Sequence, residues 1–340
     1  VYKRQHKKPP KSQKDLLSGP PGNRGAHSKP FVFGRSIPEE DEFVRSTRSL
    51  VELLKTIRLL DDTDLNTGKP SDTDRNNYAE WVRRYDTLGD AESIRIRRAI
   101  DNMARKPLVS VLIPACNSNS DWLKQAVNSV ENQLYDNWEL CIAGDVANCD
   151  TIGEYLSALP GTNARINTIL RKFNGESSIA SNSALENCTG EWVALVKPDD
   201  LLPEHALYQI AKIINLYPYT CLIYSDEDKI DEKGNRSEPY FKCDWNRDLF
   251  YSHNSLSRLA AYRRAILNEI GGFRSGFEGA YDYDLALRYI EQIESRTIHH
   301  IPKVLCHRRG HPENPDPSIN QKSCGFTAGQ KALQEHLNRT

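Results

Sequence analysis

The sequence predicts an α/β domain built on a mixed, mostly parallel sheet flanked by helices and preceded by a helical extension. Three observations carry that expectation. From residue 108 onward, short apolar runs alternate with amphipathic helical segments, the texture of βαβ units whose crossovers make neighbouring strands parallel. The runs are short and rich in Val, Ile and Leu, as strands buried on both faces are. Before residue 108 the apolar positions recur at helical spacing instead. The chain therefore divides into a basic tail (1–30), a helical N-terminal extension (31–107) and an α/β domain (108–340).

The tail, "VYKRQHKKPPKSQKDLLSGPPGNRGAHSKP", is rich in Lys, Pro, Gly and Ser and has no periodicity, so it is expected to be disordered. Its basic cluster can touch an anionic membrane surface, although a solvated tail is the simpler reading. Residues 39–60 place Phe43, Leu50, Leu53, Leu54, Ile57 and Leu60 on one helical face. Helices follow over 74–88 and 91–106, and Pro107 ends the extension. Strands are expected at 108–114, 138–143, 166–170, 191–196 and 220–225. Helices are expected at 120–133, near 151–159, at 177–188 and at 203–216, the last opening with Pro203 and Glu204. A hairpin spans 229–241 around Lys233-Gly234-Asn235. Helices at 264–270 and 282–293 flank the glycine-rich "GGFRSGFEGAY", and "FTAGQKALQEHLNR" closes the chain as a helix.

Composition excludes several classes. Across 340 residues the net charge is −1, which gives no footprint for nucleic acid. No apolar run approaches the roughly 18 residues of a membrane span, and no hydrophobic signal core opens the chain. Eight cysteines are scattered without a CxxC pair, most within apolar segments. That is the usage of a reduced, cytoplasmic chain without structural zinc, peripheral to the inner membrane face if the basic tail engages it. The chain begins at Val1 and its single methionine is Met103, so it reads as a fragment or a processed product.

Acidic residues supply the candidate chemistry. Asp199 and Asp200 stop the strand "EWVALV", at the carboxyl end where parallel sheets bind ligands and where carboxylates can hold a divalent cation. Asp145 ends the second strand, placed to accept from a ribose or base, or simply to cap a turn. Asp226 and Asp228 form a literal Asp-x-Asp, but a charged run opening a hairpin is more often structural. Asp282 and Asp284 lie where the glycine-rich loop becomes a helix. An acid there is either a cap or, beside a mobile loop, a general base. His307 and His311 follow a strand and can complete a cation site. Neither GxGxxG nor GxxxxGK[ST] is present, so the dinucleotide and P-loop readings lose their main support.

In order, "PLVSVLIPACN", "AVNSVENQLYDNWELCIAGD", "NGESSIASNSALENCTGEWVALVKPDDLLPEHAL", "LIYSDEDKID", "PYFKCDWNRDL", "YRRAILNEIGGFRSGFEGAYDYDLALR" and "IPKVLCHRRGH" resemble the family 2 glycosyltransferases of bacterial polysaccharide assembly. The resemblance covers about residues 76–340 and is closest to the rhamnosyl-transferase-like branch, whose members often carry a second transferase domain. It implies a GT-A fold and inverting transfer, assisted by Mn2+ or Mg2+. The donor would be a nucleotide-diphosphate sugar, the acceptor a glycan or lipid-linked. By the same resemblance Pro114, Ala115 and Asn117 surround the base, with Asp145 as its acidic partner, and Asn182 lies near the diphosphate. Asp199 holds the metal with His311 (His307 less so), and Asp282 is the general base.

The pattern departs from the family at three acids. Lys197 replaces the first acid of Asp-x-Asp, Gly144 the first of the strand-two pair, and Tyr281 the Glu before the base. Cys116 also stands where a ring would flank the base. An ammonium about 4 Å from a phosphate oxygen contributes up to a few kcal/mol at an effective dielectric of about 20. Lys197 can therefore do part of a metal's work while repelling one, or its side chain turns out of the cleft and leaves Asp199 and His311 to hold the ion. The metal is then weak or dispensable, or the domain is a degenerate, non-catalytic module for carbohydrate or partner binding within a larger polymerase. A nucleotidyltransferase shares the sheet but needs a glycine-rich pyrophosphate loop that the sequence lacks.

Overall fold

A computed structural model describes residues 77–340 except 117, 146–149, 173–175 and 310–318, together with the backbone alone at 145, 150 and 319–324. The described residues fall in one compact unit, Pro70–Thr340. The expected tail over 1–30 and the helix over 39–60 lie outside them.

Two helices of the extension come first, α1 (Tyr78–Tyr85) and α2 (Asp90–Asp101). Asn77 caps α1 by accepting from Glu80 N, and only Ile96 and Ile100 of α2 are buried. Strand β1 (Val109–Ala115) is buried along its whole length, which is why it reads as a continuous apolar run rather than an alternation. It pairs in parallel with β2 (Trp138–Asp145) on one side and β4 (Trp192–Leu195) on the other, and β2 pairs with β3 (Ile166–Arg171). Helices α3 (Ser120–Glu131), α4 (Asp150–Thr162) and α5 (Ser177–Glu186) make the crossovers.

The second half departs from the expectation. The helix predicted to start at Pro203 starts at Ala206 (α6, Ala206–Leu216), after the two-residue strand β5 (Asp200–Leu201), because the Pro203 and Glu204 carbonyls accept from Gln133 Nε2 and Leu134 N. Beyond the hairpin of β6 (Leu222–Ile230) and β7 (Arg236–Tyr240) come α7 (Arg247–Ser252) and β8 (Ala260–Arg263), neither of which the periodicity showed. Strand β8 is four residues long and mostly buried, too short for either period to register. It is inserted antiparallel between β4 and β6. Helices α8 (Arg264–Glu269) and α9 (Tyr281–Ile290) lead to β9 (Ile298–Arg309), and α10 (Ile319–Arg339) ends the chain. The sheet order is β3-β2-β1-β4-β8-β6-β9-β5, with β7 on β6. No helix among the described residues is long and apolar enough to cross a membrane.

The extension is pinned to the sheet by one buried carboxylate. Asp228 accepts from Tyr78 OH at 2.7 Å and from Arg236 Nε at 2.6 Å, and pairs with His307 Nδ1 at 2.6 Å. Arg236 also pairs with Asp86. Burial works against the Asp228 charge, yet these partners bring its pKa below the usual carboxylate value. Asp228→Ala leaves a guanidinium, a phenol and an imidazole without their shared acceptor. We expect a loss of about 3–5 kcal/mol in urea unfolding, and a variant as stable as the parent would show that α1 docks without this pin.

Candidate active site

The carboxyl ends of β1 and β4 open beside the point where β4 meets the antiparallel β8. Lys197-Pro198-Asp199-Asp200 turns the chain there. Asp200 N donates to Lys197 O at 3.0 Å, with proline at the second position, where its fixed φ suits a tight turn. The Asp200 carboxylate closes the turn from inside, accepting from Lys197 N at 3.2 Å.

Asp200 is fully buried. Desolvation pushes its carboxyl upward, and Arg258 opposes that rise by direct pairing with Oδ1. The same guanidinium lies 3.4 Å from Asp199 Oδ1. Desolvation also works against the charge of Arg258, but Asp200 and Asp199 more than restore it. The next residue, Leu259, is buried with φ 36°, a left-handed backbone that costs a non-glycine residue about 1–3 kcal/mol. Burial and the ion pair beside it hold that conformation in place.

Lys197 is directed across the opening. Its Nζ lies 3.3 Å from Asp282 Oδ2, with the lysine 33% and the aspartate 17% exposed. Asp282 sits in the first turn of α9, where the helix dipole favours negative charge, and it accepts from Tyr283 N at 2.9 Å. Pro114, Ser181, Lys197, Phe273, Tyr281 and Asp282 all line one small cavity. Burial raises the Tyr281 phenol above its ordinary pKa, with Asp282 adding to the rise. Tyr281 is therefore a neutral wall of this cavity.

The remaining predicted residues are distributed around this opening. Asn182 binds the backbone of Phe273 twice, donating to its O and accepting from its N, each at 2.8 Å. It thereby seats the turn at Gly271 and Gly272, whose φ values are 77° and 66°. A Cβ on Gly272 would meet Asn182 Oδ1 at 2.5 Å. Ala115 is buried at the end of β1, and Asp145 pairs through its backbone with Arg171 of β3. Asn117 and His311 lie outside the described residues. His307 is engaged by Asp228. Asp226 is engaged by His300 Nε2 at 2.7 Å and by Lys242 N at 2.8 Å, so both acids of the literal Asp-x-Asp serve the sheet. Asp284 is buried between Arg274 and Arg288, which separates it from Asp282. The residue that sequence reasoning missed is Arg258, 58 positions from Asp200 in a segment with no motif; its only signal is a cation in an apolar stretch.

Residues 110–271 match the family model for Glycosyl transferase family 2. The chain is 30% identical over 312 residues to the O-antigen biosynthesis protein RfbC of Myxococcus xanthus, covering 91% of this chain and 23% of that protein. The chain belongs to glycosyl transferase family 2. It is also 41% identical over 263 residues to the uncharacterized protein y4gI of Sinorhizobium fredii, covering 77% of this chain. It spans 29% of y4gI, so it matches about a quarter of each of these longer relatives. The fold is that of the mannosyltransferase PcManGT from Pyrobaculum calidifontis in complex with GDP-Man and Mn2+, with a TM-score of 0.52 and 17% identity. That match covers 77% of this chain and 74% of the other. The GT-A architecture implied by the sequence is thus present.

A divalent cation does not fit the described donor set. Among the described residues no group of three His, Cys, Asp or Glu side chains is placed to hold a metal. Asp199 has a guanidinium beside it, and Lys197, two residues before it, carries a second cation. Two cations at such a point raise the cost of a third.

Arg258→Met leaves Asp200 buried without its counter-charge. We expect a loss of about 3–5 kcal/mol at neutral pH. An acid whose folded pKa is raised destabilises the fold above its unfolded pKa, so the deficit relative to the parent shrinks as pH falls through the raised value. Denaturant titrations of both proteins from pH 7 to about 4 check this; a deficit that stays constant over the range would detach it from Asp200.

Proposed function

We propose that this domain transfers a sugar from a nucleotide-diphosphate sugar to a glycan or lipid-linked acceptor, with inversion at the anomeric carbon. The observation that carries the reading is the Lys197–Asp282 pair, 3.3 Å apart across a cavity at the carboxyl ends of the parallel strands. Such a site keeps a base and a cation in contact at rest, and they bracket the reacting carbon once Lys197 swings away from Asp282. Asp282 takes the proton of the acceptor hydroxyl as that oxygen bonds to the anomeric carbon. The bond from that carbon to the diphosphate breaks, and its electron pair leaves with the phosphate oxygen. One attack from the face opposite the leaving group inverts the centre.

Negative charge grows on the leaving diphosphate, and a preplaced cation there lowers the barrier. Lys197 takes that role, moving from Asp282 toward the diphosphate and releasing the carboxylate to act as base. Pro114, with Asn117 and Asp145 from the resemblance, faces the nucleotide. Asn182 supports the glycine loop over the donor. Asp199, with His311, is the place for Mn2+ or Mg2+ if one binds, and the Lys197 ammonium makes that binding weak or dispensable. The relative named for O-antigen biosynthesis supports polysaccharide assembly as the setting. No rhamnosyl specificity is assigned.

Asp282→Asn should lower turnover by roughly 10²–10⁴-fold while leaving donor affinity nearly intact, because the base acts on the acceptor. Thermal shift and calorimetry with UDP-, dTDP- and GDP-sugars measure the donor side. If none of these binds the parent chain, with or without manganese, the transferase reading falls.

Lys197→Asp restores two acids two residues apart, which can share a hard cation through oxygen ligands as an ammonium cannot. Donor binding and turnover of this variant are expected to rise with Mn2+, and those of the parent to change little. Equal manganese responses in the two proteins would remove Lys197 from the diphosphate.

A further inference from the structure

Asp282 borders a second cavity on its other side. This one measures about 290 Å3 and is walled by Tyr251 and Asn254 after β7, by Ala280 and Tyr283 around the base, and by Phe326 and Gln330 of α10. The volume is at the lower end of the roughly 300–1,000 Å3 of small-molecule sites, enough for one ring and its substituents. We infer that this cavity seats the terminal ring of a neutral glycan acceptor, stacked on Phe326 and presenting one hydroxyl to Asp282. The inference rests on the transferase reading above and names the acceptor it leaves open.

Three features point to a neutral sugar. Aromatic side chains and an amide at the rim match a sugar ring, which has apolar C–H faces and a hydroxyl edge. Phe326 is 67% exposed, unusual for a ring that only fills a core. No lysine or arginine borders the cavity among the described residues, and apart from the tyrosines its titratable groups are the Asp282 carboxylate and the His253 imidazole. An acceptor phosphate would thus meet a carboxylate and no permanent cation, with a single imidazole to offset it.

The wall is built to stay in place. A Cβ on Gly279 would fall 2.9 Å from Gly325 Cα, so a glycine pair lets α10 pack directly on the loop before Asp282. His336 of α10 pairs with Tyr251 OH at 2.9 Å and with Glu291 at 2.6 Å, and Glu335 holds Arg274 at 2.8 Å. These contacts lie on the buried side of the helix and leave Phe326 and Gln330 facing the cavity.

The test uses the full chain and ligand-observed saturation-transfer NMR with methyl glycosides of neutral hexoses, 6-deoxyhexoses and N-acetylhexosamines. At least one should bind the parent. Phe326→Ala, at an exposed position, should weaken it by about tenfold, with a smaller loss for Gln330→Ala. Calorimetry with UDP, dTDP and GDP on the same samples should give unchanged nucleotide affinity, which also shows the variants are folded. No saccharide binding to the parent overturns the inference, as does undiminished binding in Phe326→Ala. Farnesyl phosphate binding that Phe326→Ala removes overturns the neutral-glycan assignment. Saccharide binding sensitive to Phe326 without any nucleotide binding supports the cavity and overturns the transferase reading alone.

Discussion

One buried ion pair organises the site. Arg258 stands between Asp199 and the fully buried Asp200, and neither the carboxylate nor the guanidinium is tolerable there without the other. The pair joins the end of the parallel half of the sheet to the segment that enters the antiparallel β8. It fixes the Lys197–Asp200 turn, the turn aims Lys197 across the opening, and Lys197 meets Asp282, 85 residues later in the chain. The strained Leu259 backbone is adjacent to the same arginine. Geometry at the reacting groups therefore depends on an electrostatic contact that lies behind them.

The acids of the domain sort by their partners. Asp226, Asp228 and Asp284 are each surrounded by cations or imidazoles and serve the sheet or the helices. Asp282 has a single lysine against it and a cavity on either side. A carboxylate tied by several hydrogen bonds cannot turn to a substrate without leaving charged groups unpaired. One paired with a single, partly exposed lysine side chain can. That asymmetry is the physical basis for proposing Asp282, rather than its neighbours, as the base.

Much of the fold was legible in the sequence because it is written in local patterns. The strands and crossover helices up to residue 195 carry apolar runs and 3.6-residue spacing that hydrophobic burial alone imposes, and Pro198 and the glycine-rich loop mark their own turns. The placement of acids at strand ends followed from chain order, and the family resemblance added the role of Asp282. What escaped were the six-residue helix α7 and the strands β5 and β8, of two and four residues, all too short to carry a period; the two strands exist only because neighbouring strands pair with them.

Tertiary structure decided the partners. That Lys197 faces Asp282 rather than solvent, that His307 serves Asp228, and that Arg258 lies under the acid pair are facts about residues far apart in the chain. Sequence by itself determined which residue types were available and on which elements they would ride, since propensity and hydrophobic periodicity act over a few residues. Charge pairing acts through space, between groups whose separation is known only once the sheet order is set. The antiparallel insertion of β8 sets that order here, and with it the division of carboxylates between those that hold the fold and the one left to face two cavities.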